Sequence, residues 1–175
     1  MQTVFETERL RARKFEPRDA ERVYEYHLDE EVKKWIPNES YESPEEAREA
    51  AAFFADCVDR RILPYVLAVE LKQTGKLIGD AGINEVEGSS GEIEIGFVIC
   101  PECRNRGYAS ELVQAMTEFA FQNFPIRALC GRVMKGNSAS VRVLEKCGYS
   151  FAAEESGAED DPYRKGMLVY VKNES

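Results

Sequence analysis

Residues 92–121 read EIEIGFVICPECRNRGYASELVQAMTEFAF, and this segment is the most informative part of the chain for its architecture. Charged and apolar residues alternate at its start and give way to the apolar run Phe97–Ile99, a pattern typical of a strand that enters a core. From Tyr108 to Phe121, apolar residues recur at the spacing of an amphipathic helix. The polar loop Arg104–Ala109 joins the two, so the segment predicts a strand, a loop and a helix in succession.

This loop lies where the N-terminus of a helix can bind an anion. The first amide groups of a helix have no partner within the helix, and the helix dipole favours negative charge in front of them. Gly107 would let an anion approach the backbone without an intervening Cβ, and the small Ala109 keeps the first turn open. Arg104 and Arg106 add positive charge. The loop therefore predicts a site for a small, multiply charged anion.

On either side of this segment, hydrophobic periodicity and turn residues predict a mixture of strands and helices. The loops that they leave include Trp35–Tyr41 and Glu154–Asp161, of which the second is expected to be mobile. The predicted strands are Glu8–Lys14, Tyr65–Leu71, Lys76–Val86, Glu92–Cys100, Ala128–Met134, Tyr149–Ala153 and Tyr163–Val171. The predicted helices are Pro17–Leu28, Ser43–Arg60, Tyr108–Phe121 and one capped by Asn137 or Ser138 that ends at Gly148.

Composition limits the possible partners. The chain has 175 residues, of which 32 are acidic and 23 basic, giving a formal net charge of −9. We expect one domain, residues 1–175, that binds neither nucleic acid nor membranes, since both are polyanionic surfaces. No apolar run approaches the roughly 18 residues of a membrane span. Without a signal-peptide core and with five dispersed cysteines, the chain is expected to be cytoplasmic with free thiols. Within this acidic chain, residues 104–146 carry a net charge of +4, which again favours a local anion site.

Taken together, the motifs resemble those of the GNAT superfamily of N-acetyltransferases, in particular its ribosomal-protein alanine N-acetyltransferase-like branch. The loop matches the pyrophosphate loop of that superfamily, and the other motifs follow in the order of the branch. The segments that carry the resemblance are Thr7–Leu10, Leu77–Gly79, Glu94–Phe97, Arg104–Ala109, Asn137–Ser140 and Val143–Tyr149. The resemblance implies a mixed α/β (α+β) chain with the three-layer αβα GNAT-type acyl-CoA N-acyltransferase fold. Its mixed, mostly antiparallel sheet would be splayed between strands 4 and 5.

The same resemblance implies where acetyl-CoA would bind, as a cosubstrate and with no metal ion. Backbone groups of Phe97, Val98 and Ile99 would pair with the pantetheine arm like an added strand, and an amide near Val98 would hold the thioester carbonyl. Asn137 would contact the pantetheine arm or the thiol region. The amides expected to hold the pyrophosphate are those of Arg104, Asn105, Arg106, Gly107, Tyr108, Ala109 and Ser110.

Direct transfer to an amine calls for a base and for stabilisation of the departing thiolate. Glu94 is the first candidate base, acting through water, and Glu92 and Glu159 are alternatives. Much of the superfamily has a tyrosine acid seven residues after the helix-opening asparagine, but this position is Leu144. The departure fits the branch in which a serine lies near the sulfur, here Ser140. The remaining option is that proximity of the two substrates is enough for catalysis and that water protonates the departing thiolate.

Other functional classes stay open at the level of sequence. The chain could be an acyl-CoA-binding sensor or interaction module without catalysis. Cys100 and Cys103 form a Cys-x-x-Cys motif, but four residues separate it from the helix that would have to stabilise a redox thiolate. Zinc would need two further ligands, and the cysteines offer no second close pair. As an enzyme, the chain is expected to act on a primary amine, either a protein N-terminus or a small molecule, as a monomer or homodimer. Trp35–Tyr41 and Glu154–Asp161 are expected to shape its acceptor pocket.

Overall fold

The computed structural model describes residues 1–160, 162 and 166–175 of the chain. All of its strands join one sheet, in the order β1-β2-β3-β4-β5-β6-β8-β7. The strands are β1 (Thr3–Glu6), β2 (Leu10–Arg13), β3 (Tyr65–Leu71), β4 (Leu77–Glu85), β5 (Glu92–Ile99), β6 (Ala128–Met134), β7 (Ser150–Glu155) and β8 (Met167–Asn173). The helices are α1 (Ala20–His27), α2 (Glu30–Trp35), α3 (Pro44–Arg60), α4 (Tyr108–Asn123) and α5 (Ser138–Lys146).

The sheet is antiparallel except where β5 meets β6. These two strands are parallel, and their pairing covers only Glu92–Glu94 against Ala128–Cys130. Among the described residues, no strand pairs with Ile95–Ile99 on that side of β5. Because β1 precedes the first predicted strand, β5 and β6 are the fourth and fifth strands of the sequence prediction. The expected mixed sheet, splayed between these two strands, is confirmed.

Helices cover both faces of the sheet, as alternating side chains on β3 show. The ring of Tyr65 packs 5.6 Å from that of Phe119 on α4. The next side chain, Val66, points to the opposite face because successive residues of a strand alternate. There it lines a cavity together with Phe54 of α3. The sheet is thus the middle of three layers, with α1 and α3 on one side and α4 on the other.

Two elements differ from the sequence prediction near the N-terminus. β1 was not predicted, and α2 replaces part of the predicted loop Trp35–Tyr41 and the residues before it. The carboxylate of Asp29 caps α2 by accepting hydrogen bonds from the amides of Glu31 and Val32, both at 3.1 Å. These elements are short, so their apolar residues show no sustained period for a sequence analysis to detect.

The C-terminal boundaries also differ. β7 extends to Glu155 and so includes the start of the predicted mobile loop, whose last residue, Asp161, lies outside the described residues. β8 begins at Met167, and the predicted first part of that strand, residues 163–165, is likewise outside the described part of the chain. Within the described ranges, no helix has both the length and the apolar character needed to cross a membrane.

A buried ion network joins β2 to β3 and to Asp19, the residue before α1. Arg13 is 1% exposed. Its guanidinium donates to both carboxylate oxygens of Asp19 and to Glu70 Oε2, each at 2.8 Å. Burial alone would lower the pKa of Arg13, but the hydrogen bonds to Asp19 and Glu70 outweigh it and raise the pKa. The network keeps the arginine charged and gives each buried charge a partner.

Replacing Arg13 should therefore destabilise the fold strongly. We expect Arg13→Met to lower the free energy of unfolding by about 3–5 kcal/mol, because Asp19 and Glu70 lose their buried partner. The matched control is Arg60→Met, which removes a pair with Asp56 whose side chains are 64% and 60% exposed; it should cost less than about 1 kcal/mol. Urea unfolding followed by circular dichroism measures both. Equal losses for the two variants would contradict the role of the network.

Candidate functional site

A cavity of about 260 Å³ opens where β5 and β6 part. It brings together almost all the residues that the sequence predicted for cofactor binding. Only Arg106 is missing from its lining, since this residue is exposed beside it. The predicted residues that line the cavity are Phe97, Val98, Ile99, Arg104, Asn105, Gly107, Tyr108, Ala109, Ser110, Asn137 and Ser140.

The loop before α4 has the backbone shape that an anion site needs. Gly107 is the N-cap residue of α4 and has φ +81°, a left-handed conformation that favours glycine. Asn105 is also left-handed, with φ +59°. The predicted helix is confirmed, and its first amides face the loop end of the cavity because Tyr108, Ala109 and Ser110 all line it. An anion bound there would accept hydrogen bonds from groups that the helix leaves free.

Arg9 braces this loop from a distant part of the chain, a contact that the sequence analysis did not predict. Its Nε donates to Glu111 Oε2 at 2.7 Å, and its Nη1 donates to the Arg106 carbonyl at 2.9 Å. The guanidinium also lies 4.4 Å from the centre of the Tyr108 ring. Arg9 thus brings a third guanidinium to the loop, with its charge paired to Glu111. The signal in the sequence was Arg9 within the Thr7–Leu10 motif.

The basic segment 104–146 does not form one positive surface. Arg132 pairs with Glu155 at 3.2 Å, and Lys135 pairs with Glu154 at 2.5 Å, so acidic residues of β7 offset these charges. Arg104 pairs with the α2 cap Asp29 at 3.2 Å and still lines the cavity. The positive charge that remains near the cavity is therefore local to the loop.

The register of β5 changes the expected role of Val98. The Cys100 amide donates to the Ile78 carbonyl at 2.7 Å, and Val98 stands opposite Asp80. Every second residue of an antiparallel strand bonds to the same neighbour, so the backbone of Val98 is directed to β4. The backbone groups of Phe97 and Ile99 then face the open side, where β6 has parted. The register does not favour pairing of the arm with the Val98 backbone, and it favours its two neighbours, whose amides fit the expected donor near Val98.

Asn137 and Ser140 meet at the opposite wall, at the start of α5. Asn137 is the N-cap residue, and its side-chain oxygen accepts from the Ser140 amide at 3.3 Å. The carboxamide NH2 is then the part of Asn137 that a ligand can use as donor. Leu144, where much of the superfamily has its tyrosine, is 1% exposed and packs over the backbone of Gly131 in β6. Its side chain is part of the core and does not line the cavity.

The three candidate bases lie in different surroundings. Glu94 stands opposite Asn84, on the face of the sheet that carries α1 and α3, and its Oε2 accepts from Arg132 at 3.0 Å. Glu92 is exposed and accepts from the Ser89 hydroxyl at 3.2 Å. Glu159 is exposed in the segment after β7. None of these carboxylates lines the first cavity.

A second cavity of about 320 Å³ lies on the other side of Phe97, between the sheet and helices α1 and α3. Phe97 lines both cavities. Of the segment predicted to shape an acceptor pocket, Tyr41 lines the second cavity, while Trp35 lines the first. The two cavities meet from opposite sides at one residue of β5.

Acidic groups and one histidine line part of the second cavity, and the sequence analysis did not identify them as a site. Asp80 accepts from the Tyr26 hydroxyl at 2.5 Å, and its Oδ2 lies 3.2 Å from His27 Nε2. Burial would lower the pKa of His27, but Asp80 outweighs it and raises the pKa. Glu39 keeps accessible surface because it faces the cavity, while the protein around it and the nearby Asp80 raise its pKa. The signal for this site in the sequence was Asp80, a lone aspartate in the otherwise apolar first part of β4.

The cysteines do not form an activated redox site. All five are free and buried. Burial, together with its neighbour Cys103, raises the pKa of Cys100 to about 12. A redox cysteine needs the opposite shift, because the thiolate is the reactive form. Among the residues that the structure describes, no group of three His, Cys, Asp or Glu side chains could hold a metal ion.

Comparison with known proteins places the chain among acetyltransferases. A family model described as an acetyltransferase (GNAT) domain matches residues 9–150. The uncharacterized N-acetyltransferase p20 of Bacillus licheniformis is 27% identical, over 98% of this chain and 93% of its own. The crystal structure of a GNAT-family acetyltransferase from Bacillus anthracis is also 27% identical, with a TM-score of 0.79 over 99% of this chain and 98% of that one. The ribosomal L7/L12 alpha-N-protein acetyltransferase RimL, in complex with coenzyme A, is 16% identical with a TM-score of 0.81 over 98% of each chain, which shows the fold alone.

Because the cysteines are buried, we expect them to react slowly with a thiol reagent, whereas the cysteines of a redox site would react fast. In the native protein at about pH 8, we expect the cysteines to react with Ellman's reagent at least about tenfold more slowly than a free thiol. After unfolding in guanidinium chloride, all five should react. Absorbance of the released thiolate measures both rates. A fast native reaction at Cys100 or Cys103 would contradict the assignment of these residues to the core.

Proposed function

The chain belongs to the GNAT family of acetyltransferases, and from this we propose that it moves the acetyl group of acetyl-CoA directly to a primary amine. The observation that carries the proposal is the pair of cavities that meet at Phe97. One ends at the loop of residues 104–109, here called the anion loop, and the other is lined by acidic groups. Acetyl-CoA supplies the acetyl group as an activated thioester. The two cavities offer separate places for a donor and an acceptor, which direct transfer requires.

The anion loop fits the pyrophosphate of acetyl-CoA. The left-handed Gly107 carries no Cβ, and one added there would lie 3.3 Å from the guanidinium of Arg9. The amides of residues 104–110 would hold the phosphate oxygens, with Arg104 and Arg106 as the cations from the loop. Arg9, paired with Glu111, holds the loop in shape through its hydrogen bond to the Arg106 carbonyl.

The open side of β5 fits the pantetheine arm. The amides of the arm would pair with the backbone of Phe97 and Ile99 in the manner of an added strand, because β6 does not pair with these residues. Val98 contributes its side chain to the wall, and its backbone belongs to the ladder with β4. The N–H of Phe97 or Ile99 is the donor that we assign to the oxyanion.

Ser140 and Asn137 are proposed to act at the sulfur end of the arm. Both line the cavity wall opposite β5. The Ser140 hydroxyl can donate a hydrogen bond to the departing thiolate, and the Asn137 NH2 can donate to the arm. Leu144 is buried in the core and provides no acid, so the hydroxyl of Ser140 takes this position in the proposal.

Glu94 remains our proposed base. It lies on the face of β5 that carries α1 and α3, two residues from Gly96, which lines the second cavity. Its ion pair with Arg132 uses Oε2. A water held by the other oxygen would carry the proton from the amine. Like Glu94, Glu92 and Glu159 line neither cavity, but both are exposed and lack its half-buried position beside Gly96, which makes them weaker candidates.

The proposal is tested by calorimetric titration with acetyl-CoA of the reduced protein and its Gly107→Glu variant. The variant places a carboxylate where the pyrophosphate should lie and should weaken binding at least about a hundredfold. Gly75→Glu is the matched control, because this glycine of the β3–β4 turn has φ +70° and open space around it. It carries a similar backbone strain away from the site. Equal affinity of wild type and Gly107→Glu would refute the loop assignment, and no binding by the folded wild type would refute the function.

Ser140→Ala tests the role of the hydroxyl in transfer. We expect kcat to fall by about tenfold or more while the Kd of acetyl-CoA changes by less than about threefold, because the hydroxyl is proposed to act on the departing thiolate. Ser138→Ala, in the first turn of the same helix but outside the cavity, should leave both values unchanged. Release of coenzyme A, followed with a thiol reagent, gives kcat. A loss confined to affinity would make Ser140 a binding residue only.

A further inference from the structure

We propose that the second cavity is the acceptor site and that it selects a compact primary amine with an apolar body over a protein N-terminus. The inference rests on the proposed transfer function and names the substrate class of that site. Its support comes from the position, polarity and size of the cavity.

The position of the cavity puts an amine next to the donor. Phe97 separates it from the first cavity. On this face of the sheet, Gly82 and the opposite Gly96 carry no side chains. A Cβ added to Gly96 would meet nothing within 4 Å, so the space above it is open. An amine above Gly96 would lie beside the strand that we assign to the pantetheine arm.

The polarity of the cavity changes across the sheet. Asp80 lies on β4, and Glu39 faces the same space from the turn after α2. Among the described residues that line the cavity, His27 pairs with Asp80, and no lysine or arginine offsets Glu39. On the β3 side the wall is apolar, with Val66 and Phe54. An ammonium group is thus favoured near β4 and β5, close to the donor, and an apolar group is favoured towards β3.

His27 does not cancel the negative charge of the cavity. It is 2% exposed and lines the cavity, and its Nε2 lies 3.2 Å from Asp80 Oδ2. Against the effect of burial, Asp80 raises the pKa of His27, and the imidazolium that this favours is paired with Asp80. Glu39 and Glu46 also line the cavity, and no described lining residue is a lysine or arginine that could offset them. The lining therefore keeps a net negative charge, which favours an ammonium group.

The size of the cavity favours a small acceptor. Its volume of about 320 Å³ is near the lower end of the roughly 300–1,000 Å³ of small-molecule sites. The rings of Phe15 and Phe54 pack with their centres 6.0 Å apart and close the apolar side, with Phe15 only 4% exposed. A peptide chain that continues beyond its first residue would have to leave past these rings or past the acidic groups.

The experiment compares two acceptors in the same acetylation assay. The probes are 2-phenylethylamine, which joins a primary amine to a small apolar body, and an unstructured tetrapeptide with a free N-terminus. We expect kcat/KM to be at least about tenfold higher for 2-phenylethylamine. A higher value for the tetrapeptide would overturn the proposal. Binding of acetyl-CoA without acetylation of 2-phenylethylamine would also overturn it, while leaving the donor site in place.

Two variants test the cavity itself. Gly96→Val fills the open space on a strand that suits valine, and it should lower kcat/KM for 2-phenylethylamine by at least about tenfold while the Kd of acetyl-CoA changes by less than about threefold. Glu39→Gln removes a charge at nearly constant shape and should raise KM for the amine by about tenfold. Its matched control, Glu49→Gln, alters an exposed acid of α3 outside the cavity and should have no effect. Unchanged kinetics in Gly96→Val would overturn the proposal, and loss of acetyl-CoA binding by the wild type would instead refute the proposed function on which it rests.

Discussion

After Glu94 and Cys130, strands β5 and β6 no longer pair, and the backbone edge of β5 faces a cavity instead of a neighbouring strand. Every element of the candidate site depends on this parting. It leaves hydrogen-bonding groups of Phe97 and Ile99 free, which is costly unless water or a ligand meets them. The end of β5 leads through a short turn, Pro101–Cys103, into the loop and the N-terminus of α4. A chain-like ligand can therefore be bound by a strand edge at one end and by helix amides at the other, with backbone groups supplying both sets of contacts.

The sequence predicts much of this arrangement, because the first cavity is built largely from contiguous motifs. The helix that begins at Ser43, the helix α4 and the cap at Asn137 are local signals, and the structure has all three. β1 and α2 escaped prediction because their four and six residues are too short to show a period. The direction of the Val98 backbone depends on the register with β4, which hydrophobic pattern alone does not specify. The second cavity was missed for a different reason, since its polar residues come from α1, the turn after α2, α3 and β4 and meet only through tertiary packing.

The N-terminal segment has a larger role in the site than its position in the chain indicates. Arg9 precedes β2 and braces the anion loop through Glu111 and the Arg106 carbonyl, about a hundred residues away along the chain. At the other end of β2, Arg13 is bound to Asp19 and Glu70 in the core. The strand thus connects a buried ion network to an exposed loop. A loop that is held in its binding conformation before the ligand arrives loses less conformational entropy on binding.

Phe97 gives the two cavities a common wall. If an occupant of one cavity shifts Phe97, the space available in the other changes with it. Thermodynamic linkage then makes the effect mutual: the factor by which one occupant alters the affinity of the second equals the factor by which the second alters the affinity of the first. Cooperativity between the two ligands of a single small chain can arise in this way from one shared residue of β5, without hinge, lid or second subunit.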